Sequence, residues 1–299
     1  MESFTSLGRK IYDMSNPREV RRYTVFVARC WLHYRCMQKI DDFYQQNELR
    51  RELAEIYPFV YEQPQRAFFY NKSNFTERVR LLQEHFCFLE KVLKPEVILD
   101  IYRENVQILW ESEHDGAPLR MGIYYEPGQR KEGLLSVILR LGEKTLYQMI
   151  FWIQKNHQGE WAAYIGAIQG PNMDNAKDVI KRITKQCHAY RTKNLILHAT
   201  QEVVRALGIQ HLYAVTNYGY YANNHVRMDR KLKTDFSRFW QEAGGIPCMD
   251  ERFYELPMVE YRKTMEEVPT RKRAVYRRRF ALLDEIDNSI AEAVKGLRL

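Results

Sequence analysis

The chain has 299 residues, 45% of them hydrophobic and 13% aromatic, which suffices for one large or two modest cored domains and excludes a disordered polymer. Its 46 Lys and Arg against 38 Asp and Glu leave a formal charge of +8, which admits a polyanionic partner without requiring one. Five scattered cysteines without a CxxC pair fit a reducing compartment, no window approaches 18 apolar residues, and the first twenty residues lack a secretory apolar core, so the expected address is the cytoplasm.

Residues 17–100 read as helical. Pro17 suits a first helical turn, and Val20, Tyr23, Val27, Trp31, Tyr34 and Met37 recur at three-to-four spacing as an expected core stripe. A second amphipathic stretch runs through Leu49, Leu53 and Ile56 to Pro58, and a third, capped by Asn74, carries Val79, Leu82, Phe86, Leu89 and Leu93. From 104 the period falls to near two. Strands are expected at 106–110, 119–125, 134–141, 145–154 and 161–169, joined by the short turns DGAP, EPGQRKEG, LGEK and NHQG of an antiparallel meander.

The strongest pattern is a strand, helix, helix, strand block over 161–217: the unbroken apolar run WAAYIGAIQ, two helical stretches, and HLYAVTN. Gly208 stops the second helix where a left-handed conformation needs no Cβ. A helical crossover makes the two strands parallel and brings their C-terminal ends to one sheet edge, the place where open α/β sheets bind ligands. Gln169-Gly170-Pro171-Asn172, Asn217-Tyr218-Gly219-Tyr220-Tyr221 and the helix entrance His188-Ala189-Tyr190-Arg191-Thr192-Lys193 meet there. Arg191 and Lys193 add charge to a helix N-terminus that already favours anions. The plain alternative is an ordinary crossover with basic residues on a solvated turn.

After Asn217 come a loop, an amphipathic helix with Phe236, Phe239 and Trp240 that ends at Gly244-Gly245, and a strand near 253–258. The tail reads as a long helix with the stripe Tyr276, Phe280, Leu283, Ile290 and Val294, fraying at Gly296. Arg271, Lys272, Arg273, Arg277, Arg278 and Arg279 crowd its N-terminus against the macrodipole, so an anionic partner is expected: a membrane surface, nucleic acid as the weaker option, or Asp284, Glu285 and Asp287 on the same helix. The expected fold is α+β, a helical N-terminal region (1–103) followed by a mixed, mainly antiparallel sheet with crossover helices and a basic C-terminal helix (104–299).

GAIQG, ITKQCHAYRTKNLIL, AVTN, DFSRFWQEAGGIP, FYELPM and EEVPTRKRAVYRRRFALLDEI, in that order, resemble the VirK/YbjX family of Gram-negative bacteria. That resemblance implies a setting in virulence, the cell envelope and resistance to antimicrobial peptides, with no defined reaction, and extends the expected address to the periphery of the inner membrane. The order of elements also resembles the GNAT acyltransferases, in which a strand binds acyl-CoA through its backbone and a pyrophosphate loop opens the following helix. Here the loop between His188 and Asn194 has no glycine and an extra helix precedes it, so acyl-CoA and another acyl carrier both stay open as donor. The resemblance implies donor contacts at Gln169, Gly170, Tyr190, Arg191, Thr192 and Lys193.

Acyl transfer needs a base, donors for an oxyanion, and positioning. His188 or His225 is the expected base, and Asn217 with Tyr220 or Tyr221 the expected donors. Each has its ordinary reading as a surface or packing residue. Cys187 beside His188 points away from it and is not expected to act as a nucleophile. GxxxxGK[ST], GxGxxG, HExxH and GxSxG are all absent, as is zinc-ligand spacing, so no metal is expected. The competing expectation is a non-catalytic accessory protein docked through residues 271–279.

Overall fold

Helices fill the first third of the computed structural model, which describes residues 3–114, 116–223 and 235–299. They are α1 (Phe4–Ile11), α2 (Pro17–Leu32), α3 (Tyr34–Gln45), α4 (Glu48–Ile56), α5 (Phe75–Val92) and α6 (Pro95–Tyr102). Their starts follow local chemistry. The Asn16 side chain accepts from the Arg18 N–H with Pro17 in the first turn, and Asn74 and Glu77 satisfy each other's backbone N–H groups in a capping box.

The stripe expected to run unbroken from Val20 to Met37 is interrupted at His33, where α2 ends and α3 begins. Trp31 is 64% exposed and Tyr34 is also exposed, whereas Phe26 and Cys30, one step round the helix, are buried. Trp31 lies about 100° round α2 from Cys30, off the face that Phe26 and Cys30 bury, so its expected core position is corrected to a surface one. There it stacks on Tyr34, and Phe4 packs edge-on against both rings.

The meander follows as β1 (Gln107–His114), β2 (Ala117–Tyr124), β3 (Leu135–Leu141), β4 (Lys144–Lys155) and β5 (Trp161–Gln169), all antiparallel neighbours. Then come α7 (Ala176–Gln186), α8 (Thr192–Ala206), β6 (His211–Val215), α9 (Phe236–Glu242), β7 (Ile246–Pro247), β8 (Phe253–Leu256) and α10 (Arg273–Leu297). The sheet order is β1-β2-β3-β4-β5-β6-β8-β7, with β5 and β6 the parallel pair. Gly208 takes φ +85° just after α8, as its position demands. The fold is therefore a mixed α+β architecture with a mainly antiparallel sheet and a long C-terminal helix.

Helices α8 and α10 pack on each other and on the sheet, while α5 packs against β4 and α6 against β2. One hydrophobic cluster joins residues from Phe4 through the sheet to Val294. Within it the buried His85 of α5 accepts the Ile153 N–H of β4 at Nδ1, 3.1 Å, which leaves Nε2–H to face the Tyr102 hydroxyl at 3.1 Å; that hydroxyl donates to the Leu134 carbonyl. Burial holds the His85 ring neutral, its pKa lowered to about 3.

The end of α10 is also firmer than expected. The helix runs through Gly296 to Leu297, and Lys94 ties it down, its Nζ donating to the Gly296 carbonyl at 2.7 Å and its N–H to that of Leu297 at 3.1 Å.

Candidate functional site

Strands β5 and β6 pair only from Ala162 opposite His211 to Ile165 opposite Ala214, and then part. Beyond that point the β5 backbone over residues 166–169 has no strand partner on the β6 side among the described residues. Gly166 forms a bulge there, since Ile165 faces Phe151 and Ala167 faces Ile150. A Cβ on Gly166 would lie 1.8 Å from the Glu132 carbonyl oxygen, so only glycine lets the turn before β3 reach into the gap.

That turn delivers Glu132. Its side chain is buried, and its carboxylate accepts from Gln169 Nε2 and from the Tyr220 hydroxyl, both at 2.6 Å. Burial raises the Glu132 pKa, while the hydrogen bonds from Tyr220 and Gln169 pull the other way. A carboxylate made more basic at the C-terminal edge of a parallel strand pair is a general-base candidate. Sequence reading passed over it because EPGQRKEG looks like a solvated turn.

Side chains alternate along β5, so Ile168 turns away from Gln169 and lines a cleft of about 410 Å³ together with Gly170 and Tyr147. The start of α8 supplies Arg191, Lys193 and Asn194 to the opposite wall, and α9 with its cap supplies Asp235, Arg238, Phe239 and Glu242. A neighbouring hollow of about 340 Å³ shares Asn194, Phe239 and Glu242 and adds Tyr190 and Glu260. The Lys193 ammonium sits 3.7 Å from the centre of the Phe239 ring, and burial lowers its pKa to about 8 against the opposing charges of Glu242 and Asp235.

The structure sorts the sequence-derived candidates. Gly170, Arg191 and Lys193 meet in the cleft, and Gln169 stands behind it on Glu132. Thr192 is buried, and Tyr190 is buried and donates to Glu260. His188 does not line the cleft. It adopts φ +54°, followed by Ala189 at +59°, and both carbonyls accept from Arg279. Asn217, the expected oxyanion donor, is engaged with the start of α9. Its amide oxygen accepts the Phe236 N–H at 2.8 Å and its amide nitrogen donates to Asp235 at 2.8 Å, so it fastens the start of α9. Tyr221 is buried against Phe68 and Tyr220, whereas Tyr220 is the residue that reaches Glu132. His225 lies outside the described residues. Cys187 is fully buried and its thiol is pushed up to about 11, as suits an inert packing residue.

The basic cluster divides. Arg279 is turned inward onto the His188 and Ala189 carbonyls, which corrects its expected place in an outward anion site, and Arg273 donates to the Val268 carbonyl. Arg271, Lys272, Arg277 and Arg278 are exposed. The acids on α10 serve other partners: Asp284 and Asp287 pair with Arg262, and Glu285 accepts from Trp110. Among the described residues no group of three His, Cys, Asp or Glu converges to hold a metal, and no helix is long and apolar enough to cross a membrane.

Comparison with known proteins adds a family. The family described as "Protein of unknown function (DUF535)" matches residues 15–292. The uncharacterized protein YbjX of Escherichia coli K12 is 27% identical over 218 residues, 72% of this chain and 66% of that protein. An uncharacterized protein of Haemophilus influenzae is 22% identical over 286 residues, 92% of each chain, and the membrane protein LapB of Mannheimia haemolytica is 23% identical over 191 residues, 62% of this chain and 79% of that one. The alignments to YbjX and to another H. influenzae protein span about two thirds and one half of those relatives. No solved structure matches the chain. With 278 consecutive residues under one family match, the chain belongs to the DUF535, or VirK/YbjX, family.

Proposed function

We propose that this protein is an acyltransferase-like enzyme in which the cleft beside the β5 terminus takes a carrier-bound acyl donor and Glu132 removes the acceptor's proton. The observation that carries the reading is the parting of β5 and β6, with a cationic helix start on one side and a buried, more basic carboxylate on the other. The order of elements supports it: an antiparallel meander, a parallel pair joined through α8, and α9 ending at Gly244 follow the sequence expected of a GNAT-like core.

In the proposed step the acceptor nitrogen or oxygen attacks the thioester carbonyl carbon while its proton passes to Glu132. The C–S bond then breaks, and the carrier thiolate leaves and is protonated. The backbone of residues 166–169 that faces away from β4 is placed to hydrogen-bond the donor, and Arg191 and Lys193 are placed to hold its phosphate. The acceptor is proposed to be an amine or hydroxyl of an envelope component, peptide or protein, the setting the VirK/YbjX family implies. The test is calorimetric titration with acetyl-CoA, a long-chain acyl-CoA and an acyl carrier protein, alongside thiol release. Saturable binding of one donor that Lys193→Ala weakens, with thiol release lost in Glu132→Gln, supports the reading; no binding of any donor rejects it.

A second reading rests on the exposed Arg271, Lys272, Arg277 and Arg278 at the start of α10 and on the name of one relative as a membrane protein. In it the protein docks peripherally on an anionic membrane. Co-sedimentation with anionic vesicles that falls steeply with salt and is lost on Arg277→Glu with Arg278→Glu supports this docking; association that ignores salt removes it.

A further inference from the structure

A second and larger chamber, of about 800 Å³, is lined in part by Arg130 and Lys131, the two residues that precede Glu132 in the chain. Seven cationic side chains line it and a single carboxylate, that of Glu62. The cations come from places far apart in the chain. Arg21, Arg22 and Arg29 belong to α2, Arg66 follows the turn at 63–65, Arg78 sits in the first turns of α5, and Arg130 with Lys131 precedes Glu132.

Arg22 is paired with Glu19 from outside the lining, and Glu62 does not neutralise the rest of this wall. It is 1% exposed and is already engaged by the Tyr12 hydroxyl at 2.9 Å, by Arg130 Nε at 3.0 Å and by Arg66 at 4.0 Å. Arg29 donates to the Gln65 carbonyl at 3.0 Å. Arg78 is 7% exposed and donates to the Pro64 carbonyl at 2.8 Å and the Ser73 hydroxyl at 3.1 Å. These are neutral oxygens, and neither guanidinium has a carboxylate within ion-pair distance among the described residues. Burying a cation on neutral oxygens beside other cations is unfavourable unless an anion completes the site. Burial lowers the Arg78 pKa to about 10, and Arg29 pushes it the same way.

We infer that this chamber is a binding site for a ligand carrying two or more phosphate groups. Planar guanidinium forks match phosphate oxygens two at a time, and six arginines spread over a chamber of this size exceed what one phosphate can engage. The concave shape argues for a small molecule or a lipid headgroup rather than a nucleic-acid duplex. The chamber also has a polarity. Lys131 is the chain neighbour of Glu132, and Tyr221 packs on Tyr220, whose hydroxyl binds the Glu132 carboxylate. On the acyltransferase reading, and resting on it, the phosphates anchor the acceptor while its hydroxyl or amine faces Glu132.

The test uses the full chain and three probes: tripolyphosphate, citrate, and vesicles containing cardiolipin, whose headgroup carries two phosphates. Saturable calorimetric binding of tripolyphosphate, at least tenfold weaker in Arg29→Gln, unchanged in Lys193→Gln and poorly competed by citrate, is the expected result. Arg21→Gln gives the same weakening from an exposed position if Arg29→Gln impairs folding. Vesicle binding that tripolyphosphate competes away and Arg29→Gln abolishes identifies a lipid source; tripolyphosphate binding without it identifies a soluble one. Absence of both, or binding that Arg29→Gln and Arg21→Gln leave intact, overturns the site. Glu132→Gln is expected to bind tripolyphosphate normally, so a failure of the transferase chemistry and a failure of the anion site read out separately.

Discussion

The protein carries two collections of basic residues that differ in almost every respect. Residues 271–279 are dense in sequence, yet in the fold Arg279 grips two backbone carbonyls, Arg273 a third, and the remainder point to solvent. The arginines of the chamber are scattered over more than a hundred residues, and the fold gathers them round one carboxylate. Linear charge density therefore marks a solvated helix start, while convergence of isolated arginines marks a place that needs an anion.

The comparison is broken most easily at Arg78. Replacing it with Met strands the Pro64 and Ser73 oxygens, with an expected loss of about 3 kcal/mol in urea unfolding; a neutral result would mean the guanidinium is not structural and the buried-cation argument fails. Arg279→Ala is expected to cost about 2 kcal/mol, because it frees the carbonyls of two residues held at positive φ. Arg277→Ala, two positions earlier, is expected to change stability by less than about 0.5 kcal/mol. Equal losses at 277 and 279 would erase the distinction between inward and outward members of the cluster.

A smaller effect concerns pH. His85 is neutral in the folded state with a pKa lowered from 6.5 to about 3, so the unfolded chain binds a proton the folded chain refuses. Stability is therefore complete above about 6.5 and declines as pH falls toward about 3, and His85→Gln is expected to flatten that part of the unfolding profile. Smallest is the effect on the donor cleft. Lys193 loses its charge as pH rises through about 8, so phosphate-bearing donors are expected to bind more weakly at pH 9 than at pH 7, while binding in the chamber, which rests on arginines, stays constant.

Much of the fold was legible in the sequence because it is written locally. Period-two runs and short turns locate β1 to β5, Asn74 starts α5, and Gly208 ends α8. The cleft was legible in part for the same reason, since Gly170, Arg191 and Lys193 lie at strand and helix ends whose positions the crossover dictates. Glu132 was not legible. Its burial depends on Gly166 admitting a distant turn and on Gln169 and Tyr220 closing over it, three contacts that no periodicity encodes. The contacts of Asn217 were not legible either, because a polar residue at a strand end suits an oxyanion donor and a helix fastening equally well, and only the fold places Asp235 and Phe236 beside it. The chamber arginines run from Arg21 to Arg130, and only tertiary structure assembles them.

The most direct test of the transferase account is thiol release from an acyl carrier protein or acyl-CoA, compared between the native chain and Glu132→Gln at matched donor saturation. The account predicts release by the native chain, loss of at least a hundredfold in Glu132→Gln, and unchanged donor binding in that variant. Donor turnover that survives Glu132→Gln would contradict it.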